Sequence, residues 1–256
     1  MSNQELAQVF HKLHIKGTPL ILYNIWDAGS AEAVRDAGAK AIASGSHGVA
    51  NAHGYADGEQ IPLEMALEVT KQIAAVVDLP LTMDIETGYG ETPDDVAATV
   101  KRVIEAGAVG INIEDQTLHP SGLRDATEQA ERIKAAQLAA ESAGVNLYIN
   151  ARSDIFRLAK PDQAPGDFMA ETLHRAQAYA DAGADGLFVP GLQDIELIRR
   201  LCKETTLNIN ILMLAGTPNA LELAEAGVAR ISYGPRPYLE MIEWLKDKAM
   251  RATTEA

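Results

Sequence analysis

The sequence predicts an α/β protein folded as a (β/α)8 barrel, and two observations carry this prediction. First, helical segments end in Ala-Gly directly before an apolar run at five places, with the glycines at Gly38, Gly107, Gly144, Gly183 and Gly227. Glycine at this position adopts the left-handed conformation that closes a helix, so each place predicts a helix end and a strand start. Second, three further apolar runs bring the predicted strands to eight, and segments with helical spacing separate them.

The predicted strands are apolar almost throughout. They cover about residues 20–24, 40–44, 79–84, 109–114, 146–151, 186–190, 208–214 and 229–233. Unbroken apolar runs are typical of a parallel sheet that is covered on both faces. Two of the intervening helices are expected to open with an N-cap followed by proline, at Thr92-Pro93 and Thr217-Pro218. A doubly wound open sheet is the main alternative, but no G-x-G-x-x-G motif opens the first helix.

Length and charge limit the classes of protein to consider. The chain has 256 residues, 47% of them hydrophobic, which suits one barrel or two ordinary domains. The repeat favours a single domain over residues 1–256, with 1–18 as a helical lead-in and 235–256 as a C-terminal helix and tail. The net charge of −14 disfavours nucleic acid as a partner, because phosphate backbones are bound by clustered lysine and arginine.

No segment predicts export or membrane insertion. The N-terminus lacks the basic segment and long apolar run of a secretory signal, and no stretch of about 18 apolar residues could span a bilayer. The lone Cys202 cannot form an intrachain disulfide and is expected to be a buried thiol. A cytoplasmic protein is therefore predicted. His11 and His14 are expected on the surface of its N-terminal helix.

Acidic residues collect where two neighbouring predicted strands end. Asp84 and Glu86 follow the third strand on one face of an extended segment, and Glu114 ends the fourth strand. The chemistry of a (β/α)8 barrel lies at the carboxyl ends of its strands. Three carboxylates in one cleft would repel one another, and a hard dication such as Mg2+ or Mn2+ relieves this. For each acid taken singly, helix capping or pairing with a lysine is the alternative.

Two further features of the same rim predict the binding of a small carboxylic acid. Arg152 ends the fifth strand, and its fork of donors can clamp a carboxylate. A structural salt bridge to Asp154 or Glu114 is the alternative role. The glycine-rich loop after the second strand begins at Ser44, and exposed amides in such a loop can bind an anion, although an ordinary turn would look the same.

At these residues the sequence resembles the isocitrate lyase/phosphoenolpyruvate mutase superfamily, over about residues 10–250. Any one of the matching motifs would be weak, but seven in the right order are specific. They are NIWDAGSAEAVRDAG, AIASGSHGVANAHGYADG, LTMDIETGYG, VGINIEDQ, INARSD, ADGLFVPG and VARISYGP.

The resemblance implies a TIM barrel and assigns roles to single residues. Asp84 resembles the direct ligand of Mg2+ or Mn2+, while Asp57, Glu86 and Glu114 resemble ligands that act through coordinated water. Arg152 of INAR resembles the substrate arginine, so Arg152, Glu114 and Asp57 are the expected catalytic residues. The residues that match the substrate-carboxylate loop are Ser44, Gly45, Ser46 and His47. Arg152 is the second expected substrate-binding element.

Members of this superfamily hold an α-oxy carboxylate and stabilise an enolate while a C–C or C–P bond to C3 breaks or forms. The positions that define the subtypes differ here. The loop after the fourth strand, QTLHPSGLRDAT, lacks the lyases' cysteine, and Ala41-Ile42-Ala43-Ser44 lacks their tyrosine. Ser121-Gly122 and Val189-Pro190 replace the Asn-Ser pair and the histidine of phosphonopyruvate mutases. We expect an acid-processing lyase or decarboxylase; a C–P enzyme and a catalytically weak oxo-acid-binding protein are the alternatives.

The last predicted helix indicates self-association. Its sequence PYLEMIEWLKDKA places Tyr238, Ile242 and Leu245 at helical spacing, and further apolar residues widen this face. A large apolar surface usually marks an interface, although an ordinary eighth barrel helix is the alternative. The resemblance adds that members swap this helix with a neighbouring subunit. A homo-oligomer, either a dimer or a tetramer, is therefore expected.

Overall fold

Eight parallel strands form the barrel in the computed structural model, which describes residues 1–118, 121–160 and 162–254. In chain order the barrel strands are β1 (Leu20–Leu22), β2 (Ile42–Ala43), β3 (Leu81–Asp84), β4 (Gly110–Glu114), β7 (Tyr148–Arg152), β8 (Gly186–Phe188), β9 (Asn208–Leu212) and β10 (Arg230–Ser232). Each overlaps one predicted apolar run, so the predicted (β/α)8 barrel is confirmed. A small antiparallel hairpin, β5 (Gln116–Leu118) and β6 (Ser121–Leu123), follows β4 where the sequence predicted only a loop.

The strand order around the sheet is β1-β10-β9-β8-β7-β4-β3-β2. A parallel bridge between Ile25 and Ser44 brings the two edges together, with Ile25 N donating to Ala43 O at 2.9 Å. The register determines which side chains meet at the rim. Asp84 pairs with Asn112, while Glu114 pairs with Arg152 one strand further along.

Ten α-helices surround the barrel or precede it in the described residues. They are α1 (Asn3–Leu13), α2 (Ala28–Asp36), α3 (Ser46–Ala52), α4 (Leu63–Val76), α5 (Pro93–Glu105), α6 (Ala126–Ser142), α7 (Met169–Asp181), α8 (Ile195–Glu204), α9 (Ala220–Glu225) and α10 (Arg236–Thr254). The five Ala-Gly helix stops are confirmed, because all five glycines have positive φ. Thr92 caps α5 as predicted. The predicted cap at Thr217 is wrong: Asn219 caps α9, while Thr217 Oγ1 bonds to Leu212 O.

Two predictions about single buried residues had different outcomes. Cys202 is buried as expected, and burial raises the pKa of its thiol to about 11. His14 is not a surface residue, because only 7% of it is exposed. Its ring stacks on Tyr148 at 3.9 Å, and Nδ1 bonds to Phe10 O. The sequence pattern missed this because His14 ends α1, where the chain turns in under the barrel.

The last helix, α10, contacts the barrel region through its first turns, where Tyr238 packs edge-on against Trp26 with a ring-centroid distance of 5.2 Å, while most of its later residues are exposed. Within the described part of α10, only Pro237 is buried. Its large apolar side chains are exposed, with Trp244 at 60% and Leu245 at 51%. The sequence-based alternative, an ordinary eighth barrel helix that packs on its own barrel, does not describe α10 beyond its first turns. Across the described ranges, no helix is long and apolar enough to cross a membrane.

Candidate active site

A cleft opens at the carboxyl ends of the barrel strands. One part is a cavity of about 200 Å3 whose walls include Asp84, Asn112 and Arg152. A second cavity of about 320 Å3 beside it contains Glu86 and Glu114. Both cavities share four lining residues, which are Ser46, Asp57, Arg152 and Arg157. The two cavities are thus parts of one site, located where the fold predicts chemistry.

Asp84 is held by the segment that follows β2. Ser46 Oγ donates to Asp84 Oδ2 at 3.0 Å, and the Ser46 amide approaches the same oxygen at 3.4 Å. Ser44 is buried beneath the cavity, where its Oγ accepts from the Asp84 amide. Gly45, Ser46 and His47 line the cavity, whereas Ser44 does not belong to its wall. The predicted loop is in part helical, because α3 begins at Ser46.

Glu86 is fixed by a reciprocal clamp between two loops. Its Oε2 accepts from the amides of Gly58 and Glu59, each at 2.8 Å. In return, Glu59 Oε1 accepts from Thr87 Oγ1 at 2.6 Å and from the Tyr89 amide at 2.9 Å. Glu59, Glu86 and Tyr89 have positive φ, a conformation that costs non-glycine residues free energy and often marks a functional site. The remaining oxygen of Glu86, Oε1, is buried without a hydrogen-bond partner in the described residues.

Arg152 is the centre of an ion-pair network. Its Nη1 lies 2.7 Å from Glu114 Oε2, and its Nε and Nη2 donate to both oxygens of Asp154 at 2.9 and 3.0 Å. Arg157 also donates to Asp154, at 2.9 Å. A guanidinium has five N–H donors, so these contacts leave one on Nη1 and one on Nη2 unpaired among the described residues. The salt bridges named as the alternative role of Arg152 exist, but they do not exhaust its donors.

Burial first, and then repulsion between neighbouring carboxylates, raises the pKa of three acidic residues in the site. Burial, and then the charge of Asp84, raises the pKa of Glu86 to about 8. Burial raises the pKa of Glu114 to about 8, although Arg152 opposes the shift. The pKa of Asp84 is raised as well, first by burial, with Arg152 opposing and Asp57 adding to the shift. Accumulated negative charge of this kind is characteristic of a cation site.

The donor set fits a hydrated dication held mainly by one residue. Among the described residues, no three His, Cys, Asp or Glu side chains converge closely enough to enclose a metal ion. Asp57 is half exposed, with Oδ2 3.7 Å from His47 Nδ1. Mg2+ usually keeps several waters and takes one or two carboxylates directly. Asp84 as the direct ligand, with Asp57, Glu86 and Glu114 acting through water, is therefore compatible with this arrangement, and the partnerless Glu86 Oε1 is an available acceptor.

Several residues of the site were not singled out from the sequence. Asp154 was named only as a partner of Arg152, yet it organises two arginines. Sequence reasoning also missed Arg157, Glu59 and Arg230. The positions of Arg157 and Glu59 depend on loop geometry, and the role of Arg230 depends on the barrel interior. Neither leaves a motif in the sequence. His119, which sequence reasoning placed in a rim loop, lies outside the described residues.

The chain belongs to the phosphoenolpyruvate phosphomutase family, whose profile matches residues 10–253. It is therefore a member of the isocitrate lyase/phosphoenolpyruvate mutase superfamily, as its motifs predicted. It is 49% identical to a candidate phosphonomutase from Burkholderia cenocepacia J2315, whose crystal structure superposes with a TM-score of 0.95 over 98% of this chain and 100% of that one.

A curated relative and a further solved structure are also similar to this chain. The chain is 31% identical to 2-methylisocitrate lyase from Salmonella typhimurium, over 91% of this chain and 80% of the relative. It shares the fold of a phosphonopyruvate hydrolase crystallised with oxalate and Mg2+, with a TM-score of 0.85 at 22% identity, covering 100% of this chain and 88% of that one.

Proposed function

We propose that this protein is a Mg2+- or Mn2+-dependent lyase that acts on a small 2-oxo or 2-hydroxy carboxylic acid through an enolate. The observation that carries the proposal is that an arginine able to bind an anion contacts a group of buried carboxylates. Arg152 Nη1 lies 2.7 Å from Glu114 Oε2, in a cleft that also holds Asp84. A cation beside Asp84 and the free N–H groups of Arg152 would present positive charge to the carboxylate and the 2-oxygen of an acid.

Each residue has a defined task in this proposal. Asp84 would hold the metal directly, and Asp57, Glu86 and Glu114 would hold its waters. When bound, the metal would supply a Lewis acid that stabilises negative charge on the substrate oxygens. Arg152 binds the substrate carboxylate, with Gly45, Ser46 and His47 forming the adjacent wall. For a 2-oxo acid with a carboxylate on C3, the bond from C3 to that carboxylate breaks, CO2 leaves, the electron pair passes into the enolate, and a proton from water on C3 restores the keto acid. For a 2-hydroxy acid, the hydroxyl loses its proton to water, the C2–C3 bond breaks, C2 becomes the carbonyl of a 2-oxo acid, and the C3 fragment takes the electron pair as an enolate and then a proton.

The Arg152 network also orients this site. Asp154 is fully buried and holds both Nε and Nη2 of Arg152, so the guanidinium plane cannot rotate freely. Buried Asp115 in turn accepts from the Asp154 amide at 3.0 Å. A pre-oriented guanidinium loses less freedom on binding a carboxylate than a mobile one, which favours both affinity and a defined substrate geometry.

Cleavage of a C–P bond is the second candidate function, because the relative with 49% identity is a candidate phosphonomutase. A catalytically weak oxo-acid-binding protein is the third. It is favoured by the single cysteine of the chain, Cys202, which is buried in α8 and is not among the residues lining either cavity. The cytoplasmic location, the single-domain boundaries and the absence of nucleic-acid partners stay predictions from the sequence.

A substrate panel tests these candidates. C4 to C7 2-oxo and 2-hydroxy acids and phosphonopyruvate are incubated with Mg2+ or Mn2+, with EDTA, and with an Asp84→Asn variant, and the pyruvate, glyoxylate, phosphoenolpyruvate and phosphate formed are measured. Metal-dependent release of pyruvate or glyoxylate from a carboxylic acid supports the lyase. Conversion of phosphonopyruvate into phosphoenolpyruvate, or its hydrolysis to pyruvate and phosphate, with no product from the carboxylic acids, favours the C–P enzyme. Oxalate binding without any turnover favours the binding protein.

A further inference from the structure

The barrel interior beneath the cavity contains an arginine without a carboxylate partner. Arg230 lies on β10 and is only 1% exposed. Its Nε donates to Ser232 Oγ at 3.3 Å and its Nη2 to Asn112 Oδ1 at 3.2 Å. Across the described ranges, it forms no salt bridge, and its Nη1 has no hydrogen-bond partner. Burying an unpaired cation is costly, so the arrangement calls for a reason beyond packing.

The contact with Arg230 determines how the Asn112 amide is turned. Arginine can only donate hydrogen bonds, so the Asn112 atom that faces it must be the carbonyl oxygen. This fixes the orientation of an amide whose oxygen and nitrogen are otherwise hard to tell apart. Asn150 Nδ2 donates to the same oxygen at 2.9 Å. Both lone pairs of Asn112 Oδ1 are thus used by the barrel interior.

The other end of the Asn112 amide is therefore available to the cavity. Asn112 lines the 200 Å3 cavity together with Asp84 and Arg152, and it is the register partner of Asp84. Within the described residues, its Nδ2 has no hydrogen-bond partner. A donor group consequently belongs to the floor of the cavity, close to the residue proposed to hold the metal.

We propose that Asn112 is a specificity-determining residue that donates a hydrogen bond to an oxygen of the bound acid, and that Arg230 is the positioning residue that turns the amide. This inference rests on the proposed function, since it needs an acid anion in this cavity. The floor then favours ligands whose acceptor oxygen reaches Asn112 while their carboxylate binds Arg152. Oxalate is a suitable probe because each of its two carboxylate groups carries two acceptor oxygens.

The first experiment measures oxalate affinity by calorimetry in the Mn2+-saturated protein. Asn112→Asp keeps two acceptor oxygens for Arg230 and Asn150 but removes the donor facing the cavity. Asn112→Leu removes the donor without adding charge. Both variants are expected to bind oxalate about 10- to 100-fold more weakly, the range for losing a hydrogen bond to a charged group. The exposed Asn146→Asp, which makes the same charge change away from the cleft, should leave the affinity unchanged.

The second experiment asks whether Arg230 acts through Asn112. Arg230→Met should weaken oxalate binding several-fold in the wild-type background and have little further effect in the Asn112→Leu background. An equal loss in both backgrounds would show that Arg230 does not act through Asn112 and would overturn its positioning role. If Arg230→Met does not fold, Arg230→Lys is compared in the same two backgrounds.

The outcomes separate this inference from the proposed function. Wild-type protein that binds oxalate, together with unchanged affinity in both Asn112 variants, overturns only the role of Asn112. Wild-type protein that binds no oxalate with Mn2+ present overturns the proposed function, and this inference with it. Weaker binding in both variants, with melting temperatures near that of the wild type, supports the donor role.

Discussion

Glu114 and Arg152 are register partners on neighbouring strands, and Arg152 Nη1 lies 2.7 Å from Glu114 Oε2. The same arginine holds Asp154 through two further hydrogen bonds. Burial acts to lower the pKa of Arg152, but Glu114, Asp154 and Asp84 outweigh it and raise that pKa above its ordinary value. The guanidinium therefore stays charged throughout the working pH range, and its orientation is determined by carboxylates on β4 and in the loop after β7.

Replacement of Arg152 by lysine should severely impair ligand binding although the charge is kept. A lysine ammonium cannot hold Asp154 bidentately and present two more donors to a carboxylate. We expect oxalate affinity to fall by about 2 kcal/mol or more, the scale of hydrogen bonds to charged groups. Calorimetry measures this, with Arg102→Lys, on a surface pair with Glu64, as the control. If the Arg152→Lys variant bound oxalate with wild-type affinity, the role of Arg152 would be purely structural.

Removal of the Asp84 carboxylate should abolish tight Mn2+ binding. The reason is that Asp84 is the proposed direct ligand of the metal. The Glu114→Ala variant should lose less Mn2+ affinity, because Glu114 is proposed to act through a coordinated water. Titration calorimetry of both variants, with the exposed Asp94→Ala as control, tests the order of effects. Equal Mn2+ affinity in the Asp84→Ala and wild-type proteins would contradict the assignment of the ligand.

The Glu59 clamp should influence metal affinity from a distance. Glu59→Gln retains an oxygen that can accept from Thr87 Oγ1 and the Tyr89 amide, whereas Glu59→Ala removes both contacts. We expect Glu59→Ala to weaken Mn2+ binding about tenfold, as observed when groups that orient metal ligands are lost. Glu59→Gln should remain close to wild type. Equal losses in both variants would indicate that the charge of Glu59, not its hydrogen bonds, matters.

Acid should destabilise the protein partly through His14. Burial, with the charge of Arg230 adding to it, lowers the pKa of His14 to about 3. Because the folded-state pKa lies below the unfolded value of about 6.5, this histidine supplies stability above pH 6.5 that is lost as the pH falls towards 3. His14→Phe keeps an aromatic ring against Tyr148 and cannot take up a proton.

Denaturant unfolding at several pH values tests this. Between pH 7 and 4.5 the wild-type protein should lose about 2 to 3 kcal/mol more stability than His14→Phe, while the exposed His174→Gln should follow the wild type. Parallel curves for the wild type and His14→Phe would show that His14 takes up its proton over the same pH range in the folded and unfolded states, which contradicts the lowered pKa.

We propose that α10 mediates a homo-oligomer, either a dimer or a tetramer, by packing on a neighbouring subunit. Its apolar residues Leu239, Trp244, Leu245 and Met250 are exposed in the single chain. Leu245→Asp should therefore leave the barrel folded but dissociate the oligomer, whereas Lys248→Glu on the same helix should not. Light scattering measures the mass. A wild-type mass near the 27.4 kDa of one chain would refute the association, and a stable oligomer after truncation behind Gly234 would refute the role of α10.

The sequence by itself determined the barrel, because the local rules that end a helix at glycine and start a buried strand operate within a few residues. It also brought Asp84, Glu86, Glu114 and Arg152 to one rim, since in a parallel barrel every strand end lies on the same face. These are consequences of chain order alone. Asp57 was assigned from the motif resemblance, because its loop position follows no strand period.

Tertiary structure decided the contacts between side chains that lie far apart in the sequence. The clamp of Glu86 by Glu59, the burial of His14 against Tyr148 and the orientation of the Asn112 amide by Arg230 join residues 27 to 134 positions apart. Such contacts follow from the register and curvature of the closed sheet, which single-strand patterns do not encode. Periodicity along the chain reports which face of an element is buried, but only the closed barrel determines which polar groups share its interior.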